Sequence, residues 1–287
     1  MMNVSTRVER ALNRHLLGRD EPGKLTAAIT HALFPGGARV RPCLAIAVAR
    51  ACGDDRPAVA DGLAAAIEFL HCASLVHDDL PCFDDSDTRR GRPSVHAAHG
   101  EAMAVLAGDG LIVLAFQALS DVAQEAGPRL PALLSIVAES AGSPAGLVAG
   151  QAMESEEGCA LSPYHAAKTG ALFEAATAGG AVAAGGDEAH WRVIGRRLGA
   201  AYQIADDIHD KLGADGMMGK PTGQDARLGR PSSVDEYGVD GAIRTLKHLI
   251  EETAAAVPDG MASDEIRQLI RAQTARFVPA KRATAAA

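Results

Sequence analysis

The chain has 287 residues, 47% hydrophobic and 22% charged, enough to bury a sizeable core and too apolar for a disordered segment. Aromatics make up only 3% while alanine and leucine dominate, which favours close-packed helices over sheets. The net charge of −8 excludes a broad basic face for nucleic acid or anionic membrane, and five cysteines without a CxxC pair suggest neither a zinc site nor a full disulfide framework, which suits a reducing cytoplasm.

The first twenty residues, MMNVSTRVERALNRHLLGRD, are amphipathic and lack the uninterrupted apolar core of a secretion signal. Helical segments then follow one another between breaker clusters at residues 35–37, 52–57, 142–144 and 185–186. The two most apolar stretches, 62–76 and 102–119, contain Glu68 and Asp109 and read as too short or too polar to span a bilayer.

Between those stretches lies HDDLPCFDDSDTRRGR at 77–92, with five aspartates in ten positions and three arginines close behind. Asp84 stands six positions past Asp78, so a continuous helix would turn the two to different faces. Pro81 disfavours helical geometry at Leu80, so the chain is predicted to leave the helix there and curl Asp84 back toward Asp78.

Further on, Trp191, Ile194, Leu198, Ala201, Ala205, Ile208 and Leu212 alternate steps of three and four, the period of one helix face, and strand-like alternation is nearly absent. The expected class is all-α. The same helix ends in AYQIADDIHDKLG, which sets Asp206 and Asp210 four apart on one face with Gln203 a turn earlier. Like charges at that spacing cost an unliganded helix roughly 0.2–0.5 kcal/mol per pair, which calls for something positive. Residues 212–233 are rich in glycine, carry Lys220, Arg227 and Arg230, and read as a functional lid.

A single aspartate cluster is ordinarily a solvated helix face, and the first cluster is no EF-hand, having no glycine at the sixth loop position and no glutamate at the twelfth. Two clusters about 130 residues apart, each led by Asp-Asp with a third Asp four or six later, point instead to Mg²⁺ held by carboxylates and completed by substrate phosphates. Arg89, Arg90, Lys168, Lys220 and Arg230 could hold the phosphate oxygens that the metals leave.

The sequence resembles the trans-type isoprenyl diphosphate synthases, the family of farnesyl and geranylgeranyl diphosphate synthases. The similarity is carried in order by GGARVRP at 36–42, EFLHCASLVHDDLPCFDDSDTRRGRPSVH at 68–96, GEAMAVLAGDGL at 100–111, GQAM at 150–153, KTGALF at 168–173 and YQIADDIHDKLG from 202, then GK at 219–220. The resemblance implies one α-helical domain over residues 1–287, built around a deep central cavity, usually a cytoplasmic homodimer, with three Mg²⁺ between the two motifs. It implies condensation of isopentenyl diphosphate with allylic diphosphates. Asp78, Asp84 and Asp206 would be the main metal ligands, with Asp79, Asp207 and Asp210 supporting them. Arg89, Lys168 and Lys220 match the allylic diphosphate ligands; Arg41, His71 and Arg90 match those of isopentenyl diphosphate; Thr169 and Gln203 stand where the family steadies the carbocation.

The chain departs from the pattern at Ala38, where the family usually has lysine, so one cation for isopentenyl diphosphate is missing unless Arg39 substitutes. His209 replaces an apolar residue, and Arg230 stands where lysine is common. Five residues before the first aspartate, where related farnesyl synthases tend to carry an aromatic, stands Ala73, which leaves room for one more five-carbon unit before the tail meets Phe69 or Leu70. Geranylgeranyl diphosphate (C20) is the expected product, with farnesyl diphosphate (C15) next. A class I terpene cyclase would carry an Asn/Ser/Glu second site in place of DDIHD; a non-catalytic partner subunit is hinted at by Ala38 alone.

Overall fold

Prolines and glycines cut the chain into helices at the predicted breaks. The computed structural model describes residues 3–16, 22–34, 37–156, 160–212, 232–260 and 262–277. Helices α1 (Val4–Leu16) and α2 (Gly23–Leu33) precede α3 (Val40–Ala51) and α4 (Pro57–Asp78), which begins on Pro57, where the missing N–H has no helical partner to lose. After the two-residue hairpin β1 (Thr88–Arg89) and β2 (Arg92–Pro93) come α5 (Val95–His99), α6 (Glu101–Ser120), α7 (Ala123–Ala126), α8 (Leu130–Ala141) and α9 (Leu147–Met153). Then α10 (Leu161–His165) runs through a π-helical turn, Ala166–Gly170, into α11 (Ala171–Ala183); α12 (Glu188–Leu212), α13 (Ser233–Ala255) and α14 (Ser263–Phe277) follow.

One apolar cluster runs from α1 to α14, with α4 at its centre, packed against α6, α3, α11 and α1. Ile67 and Phe69 on α4 are fully buried, and each such side chain contributes about 1.5–3 kcal/mol relative to exposure. On α12 the predicted face is buried as expected, from Trp191 through Ile194, Leu198, Ala201 and Ala205 to Ile208.

Helices α4 and α6 run antiparallel. Gly62 near the start of α4 lies against the Ala118 carbonyl near the end of α6, while His77 near the end of α4 lies over Gly108. Their lengths, 22 and 20 residues, exceed the apolar stretches read from sequence, and by length and composition both are long and apolar enough to cross a bilayer. This corrects the expectation that they are too short or too polar. The apolar window of α4 is mostly buried and serves the core; that of α6 is less than half buried and leaves Val105, Leu106 and Val113 exposed.

Candidate active site

At the end of α4 the chain turns as Pro81 predicts. Helix α4 stops at Asp78, the Asp84 N–H donates back to the Asp78 carbonyl at 2.9 Å, and Asp85 takes a left-handed conformation (φ 48°). Asp84 is thereby brought beside Asp78. A third carboxylate joins them from the C-cap of α9: one oxygen each of Asp78, Asp84 and Glu154 lie within 4.8 Å of one another. Two carboxylates at that separation repel by about 3 kcal/mol at an effective dielectric of 20, so the set fits a hard cation.

Glu154 was missed in the sequence reading, where the motif GQAM stops one residue short of it. Its carboxylate accepts from Tyr164 Oη at 2.5 Å, from Gln151 Nε2 at 2.9 Å and from the Lys168 ammonium. Lys168 Nζ also lies 3.4 Å from Asp78. Arg89 donates to both oxygens of Asp79 through Nε at 3.0 Å and stands 3.6 Å from Asp78. Burial works against the Arg89 charge, yet Asp79, Asp78 and Asp84 outweigh it and raise its pKa. Lys220 and Arg230 lie outside the described residues.

Deeper in the site, the Arg41 guanidinium is buried with its carbon 4.5 Å from the centre of the Phe173 ring, and its Nε has no hydrogen-bond partner among the described residues. His71 and Arg90 line the same cavity. Desolvation, then the nearby Arg41 and Arg90, push the His71 pKa well below its usual value, which favours the neutral imidazole. Arg39 cannot replace the lysine absent at Ala38. It donates to Glu9 at 2.9 Å, to Glu68 at 2.6 Å and to the Leu33 carbonyl at 2.7 Å, turned toward α1 rather than the cavity.

The second motif lies on α12. Successive helical residues are about 100° apart, so paired aspartates cannot face the same way. In both motifs the first aspartate lines the cavity, Asp78 on one wall and Asp206 on the other. The second is buried against partners of its own: Asp79 against Arg89, and Asp207 between Gln203 Nε2 (2.9 Å) and the Ser233 N–H (2.6 Å). Asp210, one turn past Asp206, is half-buried and does not line the cavity.

Two glycines clamp the π-helical turn. A Cβ on Gly150 would lie 2.4 Å from the Lys168 nitrogen, and one on Gly199 would lie 2.4 Å from the Gly170 Cα. Their hydrogens let α9 and α12 approach this backbone closely enough to set Glu154 against Lys168 and Gln203 against Thr169. The Thr169 hydroxyl donates to Gln203 Oε1 at 2.6 Å, and both residues line the cavity. A π-turn at such a place is a frequent mark of a functional site.

Below this mouth runs a largely apolar cavity of about 810 Å³ between α4, α6, α8, α9 and α12. Leu70, Ala73, Ser74 and His77 line it from one face of α4. Phe69, expected at the floor, is fully buried elsewhere and meets the His15 ring of α1 edge-on, with centroids 6.4 Å apart, so it does not line the tunnel. The aromatic that does reach the cavity below Ala73 is Phe116 of α6, which the antiparallel pairing of α4 and α6, with Gly62 beside Ala118 and His77 over Gly108, sets deeper than Leu70.

The polyprenyl synthetase family model matches residues 22–270. The chain is 46% identical over 283 residues to a geranylgeranyl diphosphate synthase from Cereibacter sphaeroides, covering 98% of each chain. It is 40% identical over 282 residues to a farnesyl diphosphate synthase from Geobacillus stearothermophilus, covering 93% of this chain and 94% of that one. Among solved structures, a geranyltransferase from Helicobacter pylori complexed with magnesium and isoprenyl diphosphate superposes with a TM-score of 0.80 at 29% identity, covering 94% of this chain and 95% of that chain.

Proposed function

The chain belongs to the polyprenyl synthetase family and is a prenyltransferase that joins isopentenyl diphosphate to an allylic diphosphate in the trans sense, and we propose that its product is geranylgeranyl diphosphate, C20. Ala73 is the observation that carries this reading. It lies about 7.5 Å below Asp78 along α4, whereas Leu70 lies about 12 Å below. The difference matches the extension of about one isoprene unit, four carbons at bond lengths near 1.5 Å. With alanine at the upper level, the tail passes on to Leu70 and Phe116 before it is stopped.

The donor set fits Mg²⁺, named as bound in the Helicobacter pylori relative. Asp78, Asp84 and Glu154 on one side, with Asp206 on the facing wall and Asp210 one turn behind it, would hold the ions, three of them when diphosphate is bound. When bound, the metal supplies positive charge to the diphosphate as its allylic C–O bond breaks.

Lys168 and Arg89, which stand beside Asp78, would donate charge-assisted hydrogen bonds to the oxygens of the departing diphosphate. Arg41, whose Nε lacks a partner among the described residues, joins Arg90 and the neutral His71 in holding isopentenyl diphosphate. Thr169 and Gln203 present oxygen lone pairs toward the nascent carbocation, while apolar walls keep out water. The double bond of isopentenyl diphosphate attacks that cation, one new C–C bond forms, and a proton leaves the resulting cation for the released diphosphate.

A cytoplasmic homodimer is the proposed state. The exposed Val105, Leu106 and Val113 on α6 suit a second copy, and the four described cysteines carry no disulfide. The test incubates the purified chain with Mg²⁺, isopentenyl diphosphate and each of the C5, C10 and C15 allylic diphosphates and weighs the products. A C20 diphosphate is expected; product stopping at C15 overturns the chain-length assignment.

A further inference from the structure

Asp207 belongs to an Asp-rich motif, yet its surroundings are those of a structural acceptor. It is 2% exposed. Oδ1 accepts from Gln203 Nε2 at 2.9 Å, and Oδ2 accepts from the N–H of Ser233, the first residue of α13, at 2.6 Å. Of the charged or titratable neighbours, His165 approaches it at 4.0 Å, and burial depresses that imidazole's pKa.

The Gln203 amide has one donor end and one acceptor end, and a carboxylate only accepts. A flipped amide would set Oε1 against Asp207 Oδ1, acceptor on acceptor, at a buried position. With its nitrogen held by Asp207, Gln203 must turn its oxygen toward Thr169, 2.6 Å away, and the cavity. We propose that Asp207 is a positioning residue rather than a metal ligand, fixing the Gln203 amide so that oxygen faces the reacting carbon and tying the start of α13 to the same carboxylate. This rests on the prenyltransferase reading above.

The near-isosteric variant Asp207→Asn makes a definite prediction. The Ser233 N–H cannot flip, so the asparagine oxygen stays with it and the new NH₂ faces Gln203. Gln203 then inverts and turns its own NH₂ toward Thr169 and the cavity, a donor where an acceptor is needed. The kcat should fall at least about tenfold, a part of the roughly 10²–10³-fold that losing one preorganised dipole costs, with KM for both substrates within about twofold. The double variant Asp207→Asn with Gln203→Glu restores an acceptor facing Thr169 and should regain most of that loss.

Metal binding is read separately, as the rise in melting temperature on adding Mg²⁺ with inorganic pyrophosphate. Asp207→Asn should keep this rise and Asp206→Asn should lose it. The assignment is overturned if Asp207→Asn loses the rise as Asp206→Asn does, if it leaves kcat unchanged, or if the double variant regains nothing. A wild-type chain that condenses no substrate would instead remove the prenyltransferase reading and leave the Mg²⁺ measurement standing on its own.

Discussion

Arg39 donates to Glu68 across 2.6 Å, with the two side chains only 3% and 2% exposed. A guanidinium so committed is no substitute for a phosphate-binding lysine, and Ala38 beside it is exposed with nothing to offer a ligand. Substituting Ala38→Lys should therefore lower KM for isopentenyl diphosphate about tenfold while leaving kcat unchanged, since a charge-assisted hydrogen bond is worth roughly 1.5–3 kcal/mol. Steady-state kinetics on that substrate checks it. Arg39→Met should destabilise the fold by about 3–5 kcal/mol, because it strands the Glu68 charge in the core, and urea unfolding measures this.

The tunnel depth predicts a pair of opposite product shifts. Ala73→Tyr raises the floor and should stop the product at C15 or shorter, while Phe116→Ala lowers it and should give chains longer than those of the parent. Mass spectrometry of the diphosphates decides both; an unchanged distribution in either variant removes that residue from the floor.

Glu154→Gln removes one of three clustered carboxylates while keeping partners for Tyr164 and Gln151. The half-saturating Mg²⁺ concentration should rise at least about tenfold, a typical cost of disturbing a metal site, and kcat should fall with it. Titrating activity against Mg²⁺ supplies the test.

Gly199→Ala drives a methyl to 2.4 Å from the Gly170 Cα, a backbone atom that cannot swing aside. Overpacking of this kind costs about 1–3 kcal/mol and would pry Gln203 from Thr169. A lower melting temperature together with a kcat loss beyond tenfold is expected, the latter because a misplacement near 1 Å can cost about a hundredfold.

Acid should destabilise the chain from about pH 6.5 downward. The folded pKa values of His71, His99 and His165 are all depressed, chiefly by burial, relative to the unfolded value near 6.5. Between the two values the unfolded chain binds more protons than the native one, so unfolding free energy rises with pH and falls on acidification. Melting temperatures taken from pH 8 to pH 5 should decline over the lower part of that range.

Much of the fold was legible because its signals are local. Breaker clusters marked the helix ends, and the three-four period from Trp191 to Ile208 named a buried face. The return of Asp84 to Asp78 was readable because one proline controls it. Contacts made across the chain were less so. Glu154 meets Asp78 only because α9 packs on the π-turn at Gly150, and Phe69 and Leu70 part company because α1 claims the former. Period alone says that Asp206 and Asp207 diverge; it does not say which one turns inward, a choice made by Ser233, 26 residues further on.

Lys168 and Thr169 are consecutive, and in the proposed reaction they would serve opposite halves of the same bond cleavage. The lysine stands with Asp78 and Glu154, where the anion would depart, and the threonine stands with Gln203, where the cation would be left behind. Their α-carbons are held about 3.8 Å apart by a trans peptide, so the span over which charge separates is ruled by covalent bonds. Thermal motion of the surrounding helices can tilt that ruler but cannot stretch it.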